Sequence, residues 1–167
     1  MIIAIACIDR NYAIGKDNKL LFHFKKDMEF FKEKTYNHPV AMGRKTFESL
    51  PGKKPLPGRK NLVLCSQETK LPDGVEAYHS FDSFLKEIQK LAKTDDVYII
   101  GGGKVYGDML KYCDKIYLTK VGDTVEGATV FFPNLNDSKD FELTKYTIDY
   151  EDGHELVFCE YNKIKKV

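Results

Sequence analysis

One carboxylate and two glycine-bearing junctions are the residues of this chain best placed to do chemistry. Asp27 lies in the stretch from Gly15 to Phe31. On a helix, Phe24, Asp27, Met28 and Phe31 fall on one face, because residues three and four apart are neighbours. The acid therefore sits inside an apolar stripe. Burying an ionised carboxylate without a partner is costly, so such a group pairs, raises its pKa or meets a cationic ligand. A polar, glycine-bearing loop over 15–21 leads directly into it. Loop, apolar face and lone acid together suit a pocket for a small, planar, nitrogen-rich molecule. The same pattern also allows a solvated acid in a first helical turn, where it complements the helix dipole.

The junctions are Met42-Gly-Arg-Lys-Thr46 and Ile100-Gly-Gly-Gly-Lys-Val-Tyr106. Each reads as a strand running into a helix. Helix N-termini present free N–H groups and a partial positive charge, and glycine lets a ligand approach the backbone. Arg44, Lys45 and Thr46 add charge and a hydroxyl at one junction, and Lys104 adds charge at the other. Ser66 follows a third strand in an equivalent position. Two such ends on neighbouring strands suit the phosphates of a dinucleotide. Neither is a standard fingerprint: position 106 is Tyr where G-x-G-x-x-G needs Gly, and no G-x-x-x-x-G-K-[ST] occurs. A tight turn remains the alternative for Gly101–Gly103. No G-x-S-x-G, H-E-x-x-H or cysteine-nucleophile pattern is present. His23, His38, His79 and His154 are scattered, which suits surface or hairpin roles, and no metal-ligand spacing exists. The reactive chemistry is therefore expected from a bound cofactor.

The elements that must position these residues follow from apolar spacing and breakers. Strands are expected at 2–8, 39–43, 61–65, 75–78, 97–100 and 115–121. Helices are expected at 25–35, after Gly43, at 82–93 and at 104–112. The prolines and glycines of 51–58 exclude regular structure, and 122–133 reads as a loop with a short apolar piece at 130–132. Asp152-Gly153 predicts an antiparallel hairpin joining 141–150 to 155–161. Alternating strands and helices predict an α/β fold: a mixed, mostly parallel central sheet flanked by helices, with a C-terminal antiparallel hairpin. Without repeats or linkers, residues 1–167 are read as one domain.

Composition removes other classes. A formal net charge of +1 gives no pull towards nucleic acid or membrane. The apolar N-terminus is short, lacks a basic region and is followed at once by Asp9-Arg10, unlike a signal peptide. Cys7, Cys65, Cys113 and Cys159 are scattered, and three lie in apolar runs, as buried free thiols do. A reducing, cytoplasmic location is expected.

These pieces together resemble the dihydrofolate reductases. Ile5-Ala6, Ile14-Gly15, Asn18, the helix with Asp27 and Phe31, Val40 with Met42-Gly-Arg44 and Thr46, Pro55-Leu-Pro-Gly-Arg-Lys-Asn61, Ile100–Gly103 with Val105-Tyr106, and Tyr117-Leu-Thr119 occur in that family's order over nearly the whole chain. The resemblance implies a bacterial-type, single-domain, monomeric enzyme. It would reduce 7,8-dihydrofolate to tetrahydrofolate with NADPH, by hydride transfer to C6 and protonation at N5. Such an enzyme serves one-carbon metabolism and is an antifolate target.

Site roles follow from the same resemblance. Asp27 would accept from the 2-amino group and N3 of the pterin, and would support protonation of N5. Thr119 would link to this acid and to the pterin. Ile5, Ala6, Met28, Phe31, Leu50, Leu56 and Ile100 would form apolar walls, with Tyr106 beside them. Arg59 would grip the glutamate α-carboxylate, flanked by Lys32 and Lys54. Gly101, Gly102, Gly103, Lys104, Val105 and Tyr106 would cradle the pyrophosphate, and the Gly-Gly bond would be cis. Lys45 and Thr46 would contact phosphate, with Gly43 at their junction. Arg44 and Ser66 would meet the 2′-phosphate, with Cys65, Gln67 and His79 nearby. Ala13, Ile14, Gly15, Asn18, Lys19 and Leu20 would belong to the loop over the nicotinamide, with Cys7 beneath it.

Three departures stand out. Leu21-Phe22 replaces the family's usual Pro-Trp, whose indole N–H anchors a water near the substrate, and Phe22 cannot donate. Ala128 stands where many bacterial members carry an aspartate that ties the mobile loop closed, and two extra residues precede Pro55-Leu-Pro-Gly58. Two rival readings share parts of this pattern. A deaza-type reductase of riboflavin synthesis would share the glycine junction without needing Asp27 and Arg59 together. A non-catalytic folate- or nucleotide-binding module would bind without turnover.

Overall fold

The structure is a computed structural model that describes residues 1–17 and 19–165. Asn18 therefore lies outside the described residues. The apolar run at the N-terminus forms strand β1, Ile2–Ile8. β2 (Ala13–Lys16) and β3 (Lys19–Leu20) follow, then helix α1 (Lys25–Thr35), β4 (Val40–Gly43) and α2 (Arg44–Glu48). Next come β5 (Asn61–Leu64), β6 (Val75–Tyr78), α3 (Phe81–Leu91), β7 (Val97–Gly101) and α4 (Gly103–Met109). The chain ends with β8 (Lys115–Val121), β9 (Val130–Phe131), β10 (Phe141–Glu151) and β11 (His154–Lys163).

Eight strands form one sheet in the order β10-β11-β8-β1-β7-β4-β5-β6. From β8 to β6 every pairing is parallel, and β11 joins β8 antiparallel. This is the expected mixed α/β architecture. Alternation along the strands divides the core between the two faces. Ile3, Ile5, Val40, Met42, Val63 and Tyr98 pack on one face with Phe47 of α2 and, less buried, Phe30 and Phe31 of α1. Ile2, Ala4, Ala41, Leu62, Val97 and Ile99 pack on the other with Phe84 and Ile88 of α3 and Val105 and Met109 of α4. β7 lies between β1 and β4, so the chain reverses its direction of travel across the sheet there. Ligands of such sheets bind beyond the carboxyl ends of the strands at that reversal.

Three local expectations need correction. The stretch 15–21 is not simply loop: Gly15 pairs with Leu20 and Lys16 with Lys19, while Ala13 and Gly15 pair with Phe131 and Val130 of β9. Two- to four-residue strands held by backbone pairing leave no apolar period to read. A single 3-10 turn, Pro51–Lys53, interrupts the Pro/Gly-rich segment, with Pro51 at its first position. The apolar stripe of α1 is only partly buried. Thr35 is its one fully buried residue, and Met28 is 58% exposed. Helical spacing identifies a face but not what lies across from it.

Candidate active site

A cleft opens beyond the ends of β1, β4 and β7, with about 700 Å³ of empty space including its open mouth. Ala6 and Cys7 of β1, Ile100 and Gly101 of β7, and Gly102, Gly103 and Tyr106 line its floor. Lys45, Thr46 and Ser49 form one side, and Ile14, Gly15, Lys19, Leu20 and Val130 form the other. The two sequence junctions thus meet in one place.

Close packing requires glycine there. A Cβ on Gly43 would lie 3.2 Å from Val105 and 4.0 Å from the backbone of both Gly101 and Gly102. A Cβ on Gly103 would come within 2.6 Å of Val130 Cγ1. Gly101 has φ +121°, and its peptide bond to Gly102 is cis. The Thr46 hydroxyl stands over this turn, 3.3–3.4 Å from where Cβ atoms of Gly101 and Gly102 would be. Backbone N–H groups at two helix starts, a hydroxyl and Lys45 therefore share one wall, a donor set that fits a pyrophosphate.

Asp27 stands in the first turn of α1, half-buried. Its partners come from two neighbouring parallel strands: Cys7 of β1 and Thr119 of β8 are register partners. Thr119 is only 1% exposed. Burial raises the carboxyl's pKa above the ordinary range, hydrogen bonds from Thr119 and Cys7 oppose this, and the charge of Glu151 adds to the rise. Burial and the neighbouring acid push the Cys7 thiol well up, so it is a neutral donor. A shielded acid held beside Cys7, a residue of the cleft floor, favours a ligand that brings N–H donors or a positive charge.

The apolar wall is coherent. Ile5, Phe31, Leu50, Leu56 and Ile100 all join the core cluster on the α1 side of the sheet. At its far end Arg59 is half-buried and fixed. Its Nη1 donates to Thr35 Oγ1 at 3.0 Å, its Nε donates to Pro57 O at 2.9 Å, and its guanidinium lies 5.7 Å from the Tyr36 ring. Burial lowers its pKa. Gly58, at φ +71°, makes room for Tyr36, whose ring would be 2.4 Å from a Cβ there. Lys32 and Lys54 are exposed, and Met28 sits at the rim rather than in the wall.

Other expected site residues are core, are committed to other partners or lie outside the cleft lining. Ala13 is buried at 1%, and Val105 packs against Gly43 as core. Tyr106 lines the cleft, but its hydroxyl is committed to Ile5 O at 2.6 Å. Ser66 and Gln67 are exposed, with Ser66 Oγ 2.9 Å from Thr69 Oγ1. Cys65 Sγ lies 3.9 Å from His79 Nδ1, and the charge of Arg44 reaches Cys65. Arg44, Cys65 and His79 therefore form a group of their own beside the cleft. Arg44 is also 3.8 Å from Glu48. Lys104 is exposed.

Phe22 is half-buried and stacks on Phe24 at 5.6 Å. The loop before it is tied down without the aspartate that Ala128 replaces. Thr129 N–H donates to Gly15 O at 3.0 Å, and Lys16 Nζ donates to Glu126 O at 3.1 Å. Buried Asp9 accepts from Ala13 and Val125 N–H, both at 2.9 Å, and holds the loop's base to the same segment. Ser49, Val130 and Tyr36 are site residues that sequence reasoning missed. Val130 carried a signal, the apolar piece at 130–132, and the other two carried none. Among the described residues, no group of three or more His, Cys, Asp or Glu is placed to hold a metal ion.

A glycine cradle at the reversal of a parallel sheet, with a shielded acid held beside its floor, defines an α/β enzyme that pairs a nucleotide cofactor with a small heterocyclic substrate. Comparison with known proteins gives the family. The dihydrofolate reductase family model matches residues 1–163. Dihydrofolate reductase of Bacillus subtilis is 36% identical over 166 residues, covering 98% of this chain and 95% of that protein. The type 3 dihydrofolate reductase of Salmonella typhimurium is 36% identical over 161 residues, covering 96% and 95%. A solved structure of dihydrofolate reductase from Enterococcus faecalis, complexed with NADP(H) and RAB-propyl, superposes with a TM-score of 0.84 at 31% identity, covering 99% of this chain and 97% of that one. The chain belongs to the dihydrofolate reductase family. Its activity is the NADPH-dependent reduction of dihydrofolate.

Proposed function

We propose that Asp27 is the residue around which this reaction is built, with the roles of the other site residues set by their distance from it. The observation that carries this reading is the half-buried carboxylate, hydrogen-bonded by Thr119 and by Cys7 of the cleft floor and raised in pKa by burial. The pterin presents an amino group and a ring N–H, a donor pair that a carboxylate accepts bidentately. A carboxyl whose pKa is raised by burial also takes up a proton more readily than a solvated one, which suits support of N5 protonation. Thr119 holds the acid and contacts the pterin. Ile5, Phe31, Leu50, Leu56 and Ile100 exclude water, with Met28 at the rim, and Arg59 takes the glutamate α-carboxylate with its fixed fork.

The glycine cradle of Gly43 and Gly101–Gly103, with Lys45 and Thr46, fits the pyrophosphate of NADPH. Arg44, with Ser66, Gln67 and His79 around it, fits the 2′-phosphate. When bound, NADPH supplies a hydride. The chain's own residues orient both molecules and close water out, with Ile14, Gly15, Lys19 and Leu20 covering the cleft. We further propose one domain over 1–167, a monomer, a cytoplasmic location and sensitivity to antifolates. The four free cysteines support the compartment.

NADPH oxidation followed with dihydrofolate, with and without a diaminopyrimidine antifolate, tests the reading. Dihydrofolate-dependent oxidation that the diaminopyrimidine abolishes is expected. Oxidation that ignores the diaminopyrimidine, or binding without turnover, would overturn it.

A further inference from the structure

The helix that carries Asp27 starts without a side-chain cap of its own, because Phe24 occupies the cap position. Its first N–H groups must find acceptors elsewhere. They find them at the tip of the C-terminal hairpin. Lys25 N–H donates to Glu151 Oε2 and Lys26 N–H donates to Glu151 Oε1, both at 2.8 Å. Lys26 Nζ closes the clasp from the other direction, donating to Asp149 Oδ1 at 2.7 Å and Tyr150 O at 3.0 Å. Across the turn, His154 Nδ1 is 2.6 Å from Asp123 Oδ2, and its ring packs 5.2 Å from Phe24. Phe24 in turn stacks on Phe22.

We propose that Glu151 is a positioning residue for dihydrofolate reduction, clamping the first turn of α1 so that the Asp27 carboxylate is fixed where the pterin arrives. The inference rests on the reading of Asp27 given above. A carboxylate that accepts two N–H groups at a helix start is favoured by charge assistance and by the helix dipole. Asp27 lies in the same turn as both donors, so any loosening there moves the acid directly. Misplacement of a binding group by an ångström costs orders of magnitude in rate.

The clamp also carries a charge. Thr119 of β8 and Cys7 of β1 hydrogen-bond the Asp27 carboxylate, and Glu151 of β10 acts on it through its negative charge. From α4, buried Tyr106 is within reach of the acid's charge. On α1 itself, Lys26 is committed to Asp149, and Lys25 faces Glu29 at 4.0 Å in solvent. Glu151 is thus the neighbouring acid whose charge opposes ionisation of Asp27. A cap that only stabilised the helix would not move the acid's titration.

Single-turnover hydride transfer by the full chain with NADPH and dihydrofolate, followed against pH, tests this with Glu151→Ala and Glu151→Gln. Glu151→Ala is expected to lower the low-pH plateau rate about tenfold and weaken dihydrofolate binding, with NADPH affinity within about twofold of wild type. Glu151→Gln retains one acceptor without the charge, so it is expected to keep most of the plateau and shift the midpoint to lower pH. If Glu151→Ala does not fold, Glu151→Gln decides. Folded variants with wild-type plateau and midpoint would overturn the clamp. Asp27→Asn, measured alongside, separates the two ideas. If it is inactive while the Glu151 variants behave as wild type, the clamp alone fails. If it turns over normally, the reading of Asp27 fails and takes the clamp with it.

Discussion

Cys7 and Thr119 stand opposite one another on adjacent parallel strands, and both donate to the same carboxylate, that of Asp27. The strand register therefore sets the acid's environment. Thr119→Val keeps the side chain's shape and removes one donor to a charged group. Asp27 loses a contribution that opposes desolvation, so its pKa climbs further. The midpoint of hydride transfer against pH is expected to rise, and dihydrofolate affinity to fall about tenfold, equivalent to roughly 1.4 kcal/mol. A midpoint at or below that of wild type would show that Thr119 does not act on Asp27.

Asp27→Asn is expected to trade activity for stability. The folded-state pKa of Asp27 lies above its unfolded value, because burial outweighs its hydrogen bonds. Such a group favours the folded state most while protonated. It loses that contribution as pH rises from the unfolded value of about 3.9 through the folded one. At neutral pH the ionised acid is therefore a net cost, and asparagine removes it. Most turnover at neutral pH should vanish and NADPH binding should persist. Thermal unfolding at pH 7 should shift up by about 2–4 °C, and the gain should disappear at acid pH. A variant no more stable than wild type at pH 7 would mean that burial does not dominate at this site.

Substitutions at two glycines are expected to affect different ligands. Gly58→Ala forces a side chain at φ +71° and drives a Cβ into the Tyr36 ring, which supports Arg59. The expected result is a destabilisation of about 1–3 kcal/mol and a raised KM for dihydrofolate, with NADPH affinity retained. Gly103→Ala drives a Cβ into Val130 and should weaken NADPH instead. Titration of each variant with each ligand checks the assignment. Loss of the same ligand in both would contradict the division of the cleft into two walls.

Phe22 is the site residue least like its family. It offers an aromatic surface, stacked on Phe24, and no N–H. Phe22→Trp is expected to change the pH dependence of single-turnover hydride transfer by restoring a donor for proton delivery to N5, while folate binding changes by less than about threefold. An unchanged profile would remove proton delivery from the role of this position.

The parallel sheet was legible because its strands are continuous apolar runs, and the hairpin because Asp152-Gly153 allows few other turns. Of the site, Asp27, Arg59 and the glycine junctions were legible through the family resemblance more than through spacing. Asp27 by itself reads more readily as a solvated acid at a helix start. Met28 illustrates the gap: helical spacing puts it on the apolar face and the resemblance puts it in the wall, yet it is 58% exposed. Tyr106 is another case, since nothing local told that its hydroxyl would be taken by Ile5 O. Glu151 was invisible, because an acid in a hairpin reveals nothing about a helix start that folds against it from the far end of the chain.

β1, at the floor of the site, also has distant partners. Ile3 is in register with Tyr98 on one side and Lys115 on the other. Chains whose contacts are far apart in sequence fold slowly, since loop closure must be met before pairing gives any return. β1, made well before the strands it pairs with, is thus among the last to be enclosed. Until β7 and β8 have been synthesised, an apolar segment of seven residues stands open to other chains. Substitutions in β7 or β8 that leave the mature enzyme's rates untouched are therefore placed to govern how much of it a cell accumulates.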